Sequence, residues 1–305
     1  MSLREQLRGV FVAPLMPSHE DGSADLPKWI AHCRRLLAQG SHGLMPLGST
    51  GEAHSFTVDE RLAMIDALAQ SGLPMNKMLV GASALAYPDA VRLIKHATSL
   101  GAGAVCVQPH FYYKTGDDGV HAWYARLIDL VGDARLKLII YDWESNIRVA
   151  FSLDLLGRLF GDFPGTIVGI KDSNGDKKQI EERCRAFPDR LVYSGTDVTA
   201  LAGLRAGSNG CLSSYGNVMT ATLVRLFDSF RSAEGDACQA ALDAYIATAR
   251  QFSVIAAIKQ TMARLSGDSQ WVNARPPIVP LTQAQTRALY AKLDAIGFDR
   301  RQAAE

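Results

Sequence analysis

The sequence has 305 residues, of which 48% are hydrophobic and 21% charged, and its formal net charge is +1. A nearly neutral chain has no overall field to attract nucleic acid or an anionic membrane, so we expect a small-molecule partner and neither of those two. The start of the chain lacks the apolar core of a signal peptide, and no apolar run reaches the roughly 18 residues of a membrane span. Five scattered cysteines without a CxxC pair are typical of a reducing compartment, so we predict a cytoplasmic protein.

The histidines argue against metal chemistry. All seven lie in the first 121 residues, and none shows HxH, HxxH or HExxH spacing. Such spacing is what a helix-borne metal site uses. The GxSxG elbow of one class of serine hydrolases is absent as well. We therefore expect a reaction that needs no metal or other cofactor.

Eight short apolar segments predict strands. Each has four to seven residues and does not alternate polar with apolar side chains, which is typical of strands buried on both faces of a parallel sheet. The predicted strands span residues 9–15, 43–47, 78–81, 104–108, 136–141, 167–171, 191–194 and 210–213.

Helical patterns alternate with these strands. Thr57 ahead of Glu60 has capping-box spacing, Ser152 precedes another helical segment, and glycines such as Gly161 and Gly207 mark helix ends. The predicted helices span residues 26–39, 58–71, 88–100, 119–131, 153–160, 176–187 and 198–205. Eight β–α units in about 230 residues predict an α/β fold, a (β/α)₈ TIM barrel. A doubly wound open sheet is the alternative, but no GxGxxG motif opens the chain.

The strand pattern stops near residue 233. Residues 236–265 form one long helical pattern without Pro or Gly, and residues 282–296 form a second. We therefore predict a barrel at residues 1–233 and a C-terminal helical extension, residues 234–305, packed on it.

Lys171 ends the sixth predicted strand, and the ends of barrel strands are where reactive groups lie. Removing an amine from water disfavours its charged form, which is the condition for a nucleophilic lysine. The alternative is a structural lysine that extends to solvent or pairs with Asp172.

Two further strand ends carry polar groups. Tyr141 ends the fifth strand, where a phenol could transfer protons or could simply be a packed ring. Ser49 and Thr50 follow the second strand between two glycines, in a turn that could bind a carboxylate or be a plain turn. Jointly, an amine, a phenol and a carboxylate cradle at one barrel mouth are what Schiff-base chemistry on a 2-oxo acid requires.

An ordered set of motifs extends this pattern. GSTGE stands at 48–52, DER at 59–61, FYY at 111–113, GIKDSNGD at 169–176 and SGTD at 194–197, with Tyr141 between them. In this set the chain resembles the dihydrodipicolinate synthase / N-acetylneuraminate lyase family over nearly its whole length. The resemblance implies a (β/α)₈ lyase that acts on a pyruvate-like 2-oxo acid.

The resemblance also implies roles for individual residues. Lys171 would form the Schiff base and Tyr141 would transfer protons. Ser49 and Thr50 would hold the substrate carboxylate, with Ser49 also in a hydroxyl relay. Tyr112 matches a tyrosine that reaches across a dimer interface into the neighbouring site, and family members are commonly dimers of dimers. Contacts with the rest of the substrate would come from Ser173, Gly195, Asp197, Ser213 and Ser214.

The loop after the fifth strand departs from the family pattern. The synthase branch carries an arginine five residues after the strand tyrosine, where it clamps the second substrate, but this chain has Asn146. Arg148 is two positions out of register, and Asp142 and Glu144 replace the usual asparagine and proline. Because losing a bidentate clamp is not conservative, we do not expect a true dihydrodipicolinate synthase. We expect Glu144 and its neighbour Trp143 to determine specificity.

Other branches also match only in part. Residues 213–217, SSYGN, resemble the sialic-acid lyase branch, but Val198 stands where that branch has an acidic residue, which argues against sialic acid. The KDSNGD run also resembles 4-hydroxy-2-oxoglutarate aldolases and keto-deoxy sugar acid dehydratases. The sequence does not choose among these branches.

Three functional hypotheses remain open. The leading one is a class I aldolase-type lyase that releases or condenses pyruvate or a similar 2-oxo acid. The second keeps the Schiff base but eliminates water or ammonia, as a dehydratase or deaminase. The third is a regulatory barrel that binds a 2-oxo acid without catalysis, because its fifth-strand loop is remodelled.

Overall fold

The computed structural model describes residues 2–298. Its eight β-strands are buried along their whole length and lie at β1 Gly9–Val12, β2 Gly43–Leu44, β3 Leu79–Gly81, β4 Ala104–Val107, β5 Leu138–Asp142, β6 Ile167–Asp172, β7 Leu191–Ser194 and β8 Gly210–Ser213.

Thirteen α-helices are present in the described residues. They are α1 Leu3–Gln6, α2 Leu26–Ala38, α3 Val58–Gln70, α4 Tyr87–Ser99, α5 Asp117–Val131, α6 Glu144–Ile147, α7 Leu153–Asp162, α8 Lys177–Ala186, α9 Ala200–Ala206, α10 Gly216–Ser229, α11 Ala233–Ala249, α12 Val254–Ser266 and α13 Gln283–Ala295. None of them is both long and apolar enough to cross a membrane.

The strands form a closed parallel barrel. They pair in the order β2-β1-β8-β7-β6-β5-β4-β3, and a parallel bridge between Leu44 and Met78 joins the two ends of this series. Gly210 pairs with Gly9 and has φ +149°; a Cβ atom there would lie 1.8 Å from the Gly9 carbonyl oxygen, so only glycine fits. The predicted (β/α)₈ barrel with C-terminal helices is confirmed.

Alternate side chains of each strand face the barrel interior and the helical layer. On β1, Phe11 packs inside the barrel, whereas Val10 and Val12 pack against the helices. The main-chain oxygen of Leu7 accepts hydrogen bonds from Tyr193 and Asn209, which closes the N-terminal end of the barrel. The open end is therefore the C-terminal one.

Local sequence signals explain most element boundaries. Thr57 and Glu60 form the predicted capping box at the start of α3, and the Ser152 side chain caps α7. The predicted end of α7 at Gly161 is wrong, because the helix continues through this glycine to Asp162. Elsewhere glycine does end a helix, as Gly207 does after α9 with φ +100°.

The single long helix predicted at 236–265 is also wrong. The chain breaks between α11 and α12, where Arg250 is the C-cap of the first helix and Ser253 the N-cap of the second. The break lets α12 fold back against α11, and the Tyr245 hydroxyl donates to Thr261 Oγ1 across the pair at 3.0 Å. The break contains no Pro or Gly. Tertiary packing rather than local propensity therefore determines where the two helices separate.

Candidate active site

A cavity of about 320 Å³ opens at the C-terminal ends of the strands. Its wall consists of strand-end residues on one side and residues from the α11–α12 junction on the other. The lining residues are Ser49, Thr50, Tyr141, Trp143, Lys171, Ser173, Gly195, Thr196, Asp197, Ser214, Tyr215, Arg250, Ser253, Val254 and Ile255. A larger surface depression lies on the helical layer between α8, α9 and α11, but it contains none of the residues predicted for the site.

Lys171 and Tyr141 are paired residues of β6 and β5. Each is only 5% exposed. The Lys171 Nζ atom lies 4.0 Å from the centre of the Tyr141 ring and 3.5 Å from Met45 Sδ. The amine therefore faces the barrel interior and the cavity instead of extending into bulk water.

Asp172 points away from the lysine, into the helical layer. Its carboxylate accepts from Arg183 Nη1 at 2.6 Å, and Nη2 of the same guanidinium donates to Asp142 at 2.6 Å. All three side chains are at most 1% exposed. Burial raises the pKa of Asp142 to about 6, opposed by the charge of Arg183. The alternative pairing of Lys171 with Asp172 is therefore not what the chain adopts.

The hydroxyl-bearing turn after β2 is a short 3₁₀ helix, Ser49–Gly51. Ser49 Oγ lies 3.4 Å from the Tyr141 hydroxyl, and Thr50 Oγ1 lies 2.6 Å from Ser214 Oγ. The turn thus brings two hydroxyls into the cavity and connects one of them to the phenol beside the lysine.

A buried ion pair supports this turn from behind. Glu52, in the left-handed region at φ +57°, pairs with Lys259 of α12, and both side chains are fully buried. The Arg275 main-chain N–H donates to Glu52 at 2.9 Å, and Lys259 donates to the Asn273 main-chain oxygen. Burial lowers the pKa of Lys259, while Glu52 opposes this shift. Sequence reasoning missed Lys259 because nothing local indicates its partner.

Asp197 contributes the carboxylate of the cavity. It is 1% exposed and accepts from Ser213 Oγ at 2.9 Å. Burial raises its pKa to about 6, although the Ser213 hydrogen bond opposes the shift. Ser213, in turn, accepts from the Gly216 N–H at 2.7 Å. Ser213 therefore lies behind Asp197 and does not line the cavity.

Ser173 and Gly195 complete the wall beside the lysine. The Ser173 hydroxyl donates to the Gly195 carbonyl oxygen at 3.2 Å, and the Gly195 N–H donates to the Asp172 carbonyl oxygen at 2.6 Å. A Cβ atom on Gly195 would lie 2.8 Å from Lys171 Cγ, so glycine leaves room for the lysine side chain.

The two residues expected to set specificity point to different places. Trp143 lines the cavity and stacks on Tyr141, with ring centres 6.4 Å apart and planes at 8°. Glu144 begins α6, is exposed, and lies with Arg148 in a separate surface depression. In the single chain, therefore, only the tryptophan faces the cavity.

Tyr112 lies outside the cavity of its own chain. It is 74% exposed and packs edge-on against Tyr113, which is 71% exposed.

The α11–α12 junction adds four cavity residues that the sequence did not suggest: Arg250, Ser253, Val254 and Ile255. They were missed because this segment was predicted to lie inside one continuous helix.

Comparison with known proteins places the chain in a family. A family model described as the dihydrodipicolinate synthetase family matches residues 6–296. 4-Hydroxy-tetrahydrodipicolinate synthase from Rhodopseudomonas palustris (strain BisA53) is 31% identical over 219 residues, which cover 72% of each chain.

Solved structures agree with this assignment. Dihydrodipicolinate synthase from Agrobacterium tumefaciens str. C58 has a TM-score of 0.88 at 26% identity, with 94% of this chain and 99% of that one covered. The catalytic lysine mutant of Ruminococcus gnavus sialic acid aldolase shares the fold, with a TM-score of 0.87 at 17% identity and 98% of both chains covered. The chain therefore belongs to the dihydrodipicolinate synthase / N-acetylneuraminate lyase family and is a lyase.

Proposed function

We propose that the chain is a class I aldolase-type lyase that forms a Schiff base between Lys171 and a 2-oxo acid, with pyruvate as product or donor. The observation that carries the proposal is the position of the Lys171 amine, buried 4.0 Å from the Tyr141 ring centre in the cavity that also holds the Ser49 and Thr50 hydroxyls. An amine, a phenol and a pair of hydroxyl donors in one enclosed site match what this chemistry needs.

The proposed reaction begins with addition of the uncharged Lys171 amine to the C2 ketone. The carbonyl oxygen receives one proton from the adding amine and a second from Tyr141 and leaves as water, which gives a protonated imine and a Tyr141 phenolate. The 3.4 Å contact between Tyr141 and Ser49 supports a proton path between the two hydroxyls. Ser49 and Thr50 hold the C1 carboxylate during these steps.

The protonated imine then serves as the electron sink. The electron pair of the C3–C4 bond moves into the imine, while the C4 hydroxyl passes its proton to the Tyr141 phenolate and becomes a carbonyl. Tyr141 then returns this proton to C3 of the enamine. Hydrolysis of the imine releases pyruvate, restores the Lys171 amine and reprotonates Tyr141. Because the imine accepts the electrons, the proposed reaction needs no metal or organic cofactor.

Residues that line the remaining cavity are proposed to bind the rest of the substrate. Ser173, Gly195, Asp197 and Ser214 line this part of the cavity with polar groups, and Trp143 supplies an aromatic face. Ser213 acts through Asp197, which it holds by a hydrogen bond. Asn146 supplies no charge for a clamp after β5, so we propose a substrate other than that of a true dihydrodipicolinate synthase.

We further propose that the chain assembles as a dimer of dimers in which Tyr112 enters the site of the neighbouring subunit. The exposed tyrosine pair, 74% and 71% accessible, supports an interface at this loop. Five buried cysteines, all unpaired, support a reducing, cytoplasmic location.

Product analysis tests the proposal. The purified protein is incubated with a panel of 4-hydroxy-2-oxo acids, and released pyruvate is measured for the wild type, Lys171→Ala and, as a matched control, the exposed Lys177→Ala. We expect pyruvate from the wild type and the control but none from Lys171→Ala. A dehydrated 2-oxo acid would show elimination instead, and thermal stabilisation without any product would show a regulatory barrel; either result would overturn the aldolase proposal.

A further inference from the structure

Arg250 is a second basic residue of the cavity. Among the described residues that line it, Lys171 and Arg250 carry the basic side chains and Asp197 the acidic one. With Lys171 consumed by the proposed Schiff base, Arg250 is the cation that remains to bind another part of the substrate.

The contacts of Arg250 leave its charge available. Its Nη2 atom donates to Thr196 Oγ1 at 3.3 Å, and its side chain also forms a hydrogen bond with the Tyr215 side chain; both partners are uncharged. Carboxylates do pair with other guanidinium groups of the described chain, for example those of Arg183, Arg205, Arg264 and Arg275. Arg250 forms no such ion pair with any residue between 2 and 298. A bound anion would supply the missing partner.

The helix break holds Arg250 at the cavity wall. Its main-chain N–H donates to the Ile246 carbonyl oxygen at 2.9 Å, so the residue completes the last turn of α11. Ile246 and Ala249 beside it are buried and fix this turn against the fold. Immediately afterwards the chain reverses, and Ser253 joins the same wall. The main chain of Arg250 thus belongs to a packed helix end, from which its exposed side chain lines the cavity.

The cavity is larger than pyruvate requires. Its volume of about 320 Å³ would hold roughly ten water-sized groups at about 30 Å³ each. A substrate that reacts at Lys171 can therefore extend toward Arg250. A guanidinium binds a carboxylate through two parallel hydrogen bonds, and the Thr196 and Ser253 hydroxyls beside it offer further polar contacts.

We infer that Arg250 binds the distal carboxylate of a 2-oxo dicarboxylic acid whose C2 carbon reacts at Lys171. The inference rests on the proposed function, because it assumes that Lys171 captures a 2-oxo acid. Arg148 is the competing candidate by sequence position, but it lies in the separate depression beside Glu144.

Two matched ligands test the inference. 2-Oxoglutarate and 2-oxopentanoate have the same chain length, and a terminal carboxylate in the first replaces a methyl group in the second. Each is incubated with the full-length protein and sodium borohydride, and the half-saturating concentration for adduct formation is read from intact mass. Pyruvate is measured in parallel. The variants are Arg250→Gln, Arg250→Lys and the control Arg148→Gln.

For the wild type, we expect the half-saturating concentration of 2-oxoglutarate to be lower than that of 2-oxopentanoate by a factor of about ten or more. Arg250→Gln should abolish this preference. Its half-saturating concentration of pyruvate should stay within about twofold of the wild-type value, since the lost hydrogen bonds lie away from the ketone. Arg250→Lys should keep part of the preference, and Arg148→Gln all of it.

Other outcomes would overturn the inference. The wild type could show no preference for 2-oxoglutarate over 2-oxopentanoate, or the preference could survive in Arg250→Gln. The preference could instead disappear in Arg148→Gln, or Arg250→Gln could be equally impaired with all three acids. Absence of any adduct, even with pyruvate, would instead reject the proposed function itself.

Discussion

Asp142 of β5 and Asp172 of β6 are neighbours in paired strand positions and share one guanidinium, that of Arg183. Tyr141 and Lys171 are the preceding pair of the same two strands. The buried cluster therefore joins β5 to β6 one position after the residues proposed to react, on the side of the helical layer. It holds two carboxylates against a single cation, so one negative charge is not balanced within it.

The excess charge predicts how stability depends on pH. The pKa of Asp142 is raised to about 6 by burial, whereas an unfolded aspartate has a pKa of about 3.9. A raised carboxyl pKa means that ionisation costs stability: the cost grows as the pH rises from about 4 to about 6 and is complete above that. The difference in unfolding free energy between Asp142→Asn and the wild type should therefore grow, in favour of the variant, by about 1–2 kcal/mol from about pH 4.5 to pH 8.

Urea denaturation at the two pH values measures this effect. Asp129→Asn, in an exposed pair with Arg126, serves as the control and should show no comparable pH trend. A stability difference between Asp142→Asn and the wild type that stays constant or shrinks as the pH rises would contradict the assignment of the excess charge.

Lys259 should be essential to stability through Glu52. Lys259→Met leaves the Glu52 carboxylate fully buried without its counter-charge, which should lower the unfolding free energy by about 3–5 kcal/mol. The double variant Glu52→Gln/Lys259→Met removes both charges and should recover much of the loss. A thermal or chemical denaturation cycle over the four proteins measures the coupling, and additive losses would show that the pair does not act as a unit.

The Tyr141 hydroxyl should matter for rate and little for folding. Tyr141→Phe keeps the ring that packs against the Lys171 amine and Trp143 but removes the group that contacts Ser49. We expect kcat to fall by a factor of about 100 to 10,000. The melting temperature should stay close to that of the wild type. Steady-state kinetics measures kcat, and calorimetry measures the melting temperature. A kcat of Tyr141→Phe within about twofold of the wild-type value would refute the proposed role.

Subunit complementation tests the position of Tyr112. Lys171→Ala and Tyr112→Ala should each be inactive alone, the second because its neighbour's site lacks the incoming phenol. In mixed dimers of the proposed arrangement, the site that retains Lys171 would receive Tyr112 from the other subunit. Random mixing should therefore restore roughly one competent site in four. Activity of the mixture no greater than the average of the two variants would place Tyr112 outside the neighbouring site.

Much of the fold and the proposed reaction centre could be predicted because parallel strands bring their ends together. Once the β6 run was recognised, its final position placed Lys171 at the barrel mouth, next to the Tyr141 position on β5. The pattern also predicted the strands to within a few residues, since continuous burial gives each an uninterrupted apolar segment.

Long-range pairings could not be predicted in the same way. Arg183 and Lys259 lie on helices and are buried only because carboxylates on distant segments neutralise them. The break after Arg250 has no local signal, so the junction side of the cavity was missed. Trp143 and Glu144 diverge because β5 ends just before Trp143 and α6 begins at Glu144, which a one-dimensional pattern does not resolve.

The most direct test of the central claim locates the covalent adduct. The protein is reduced with borohydride in the presence of pyruvate, digested, and mapped by tandem mass spectrometry. We predict a single pyruvate-derived modification on Lys171, with its loss in Lys171→Ala. An adduct on another lysine, or none in the wild type, would contradict the proposed chemistry.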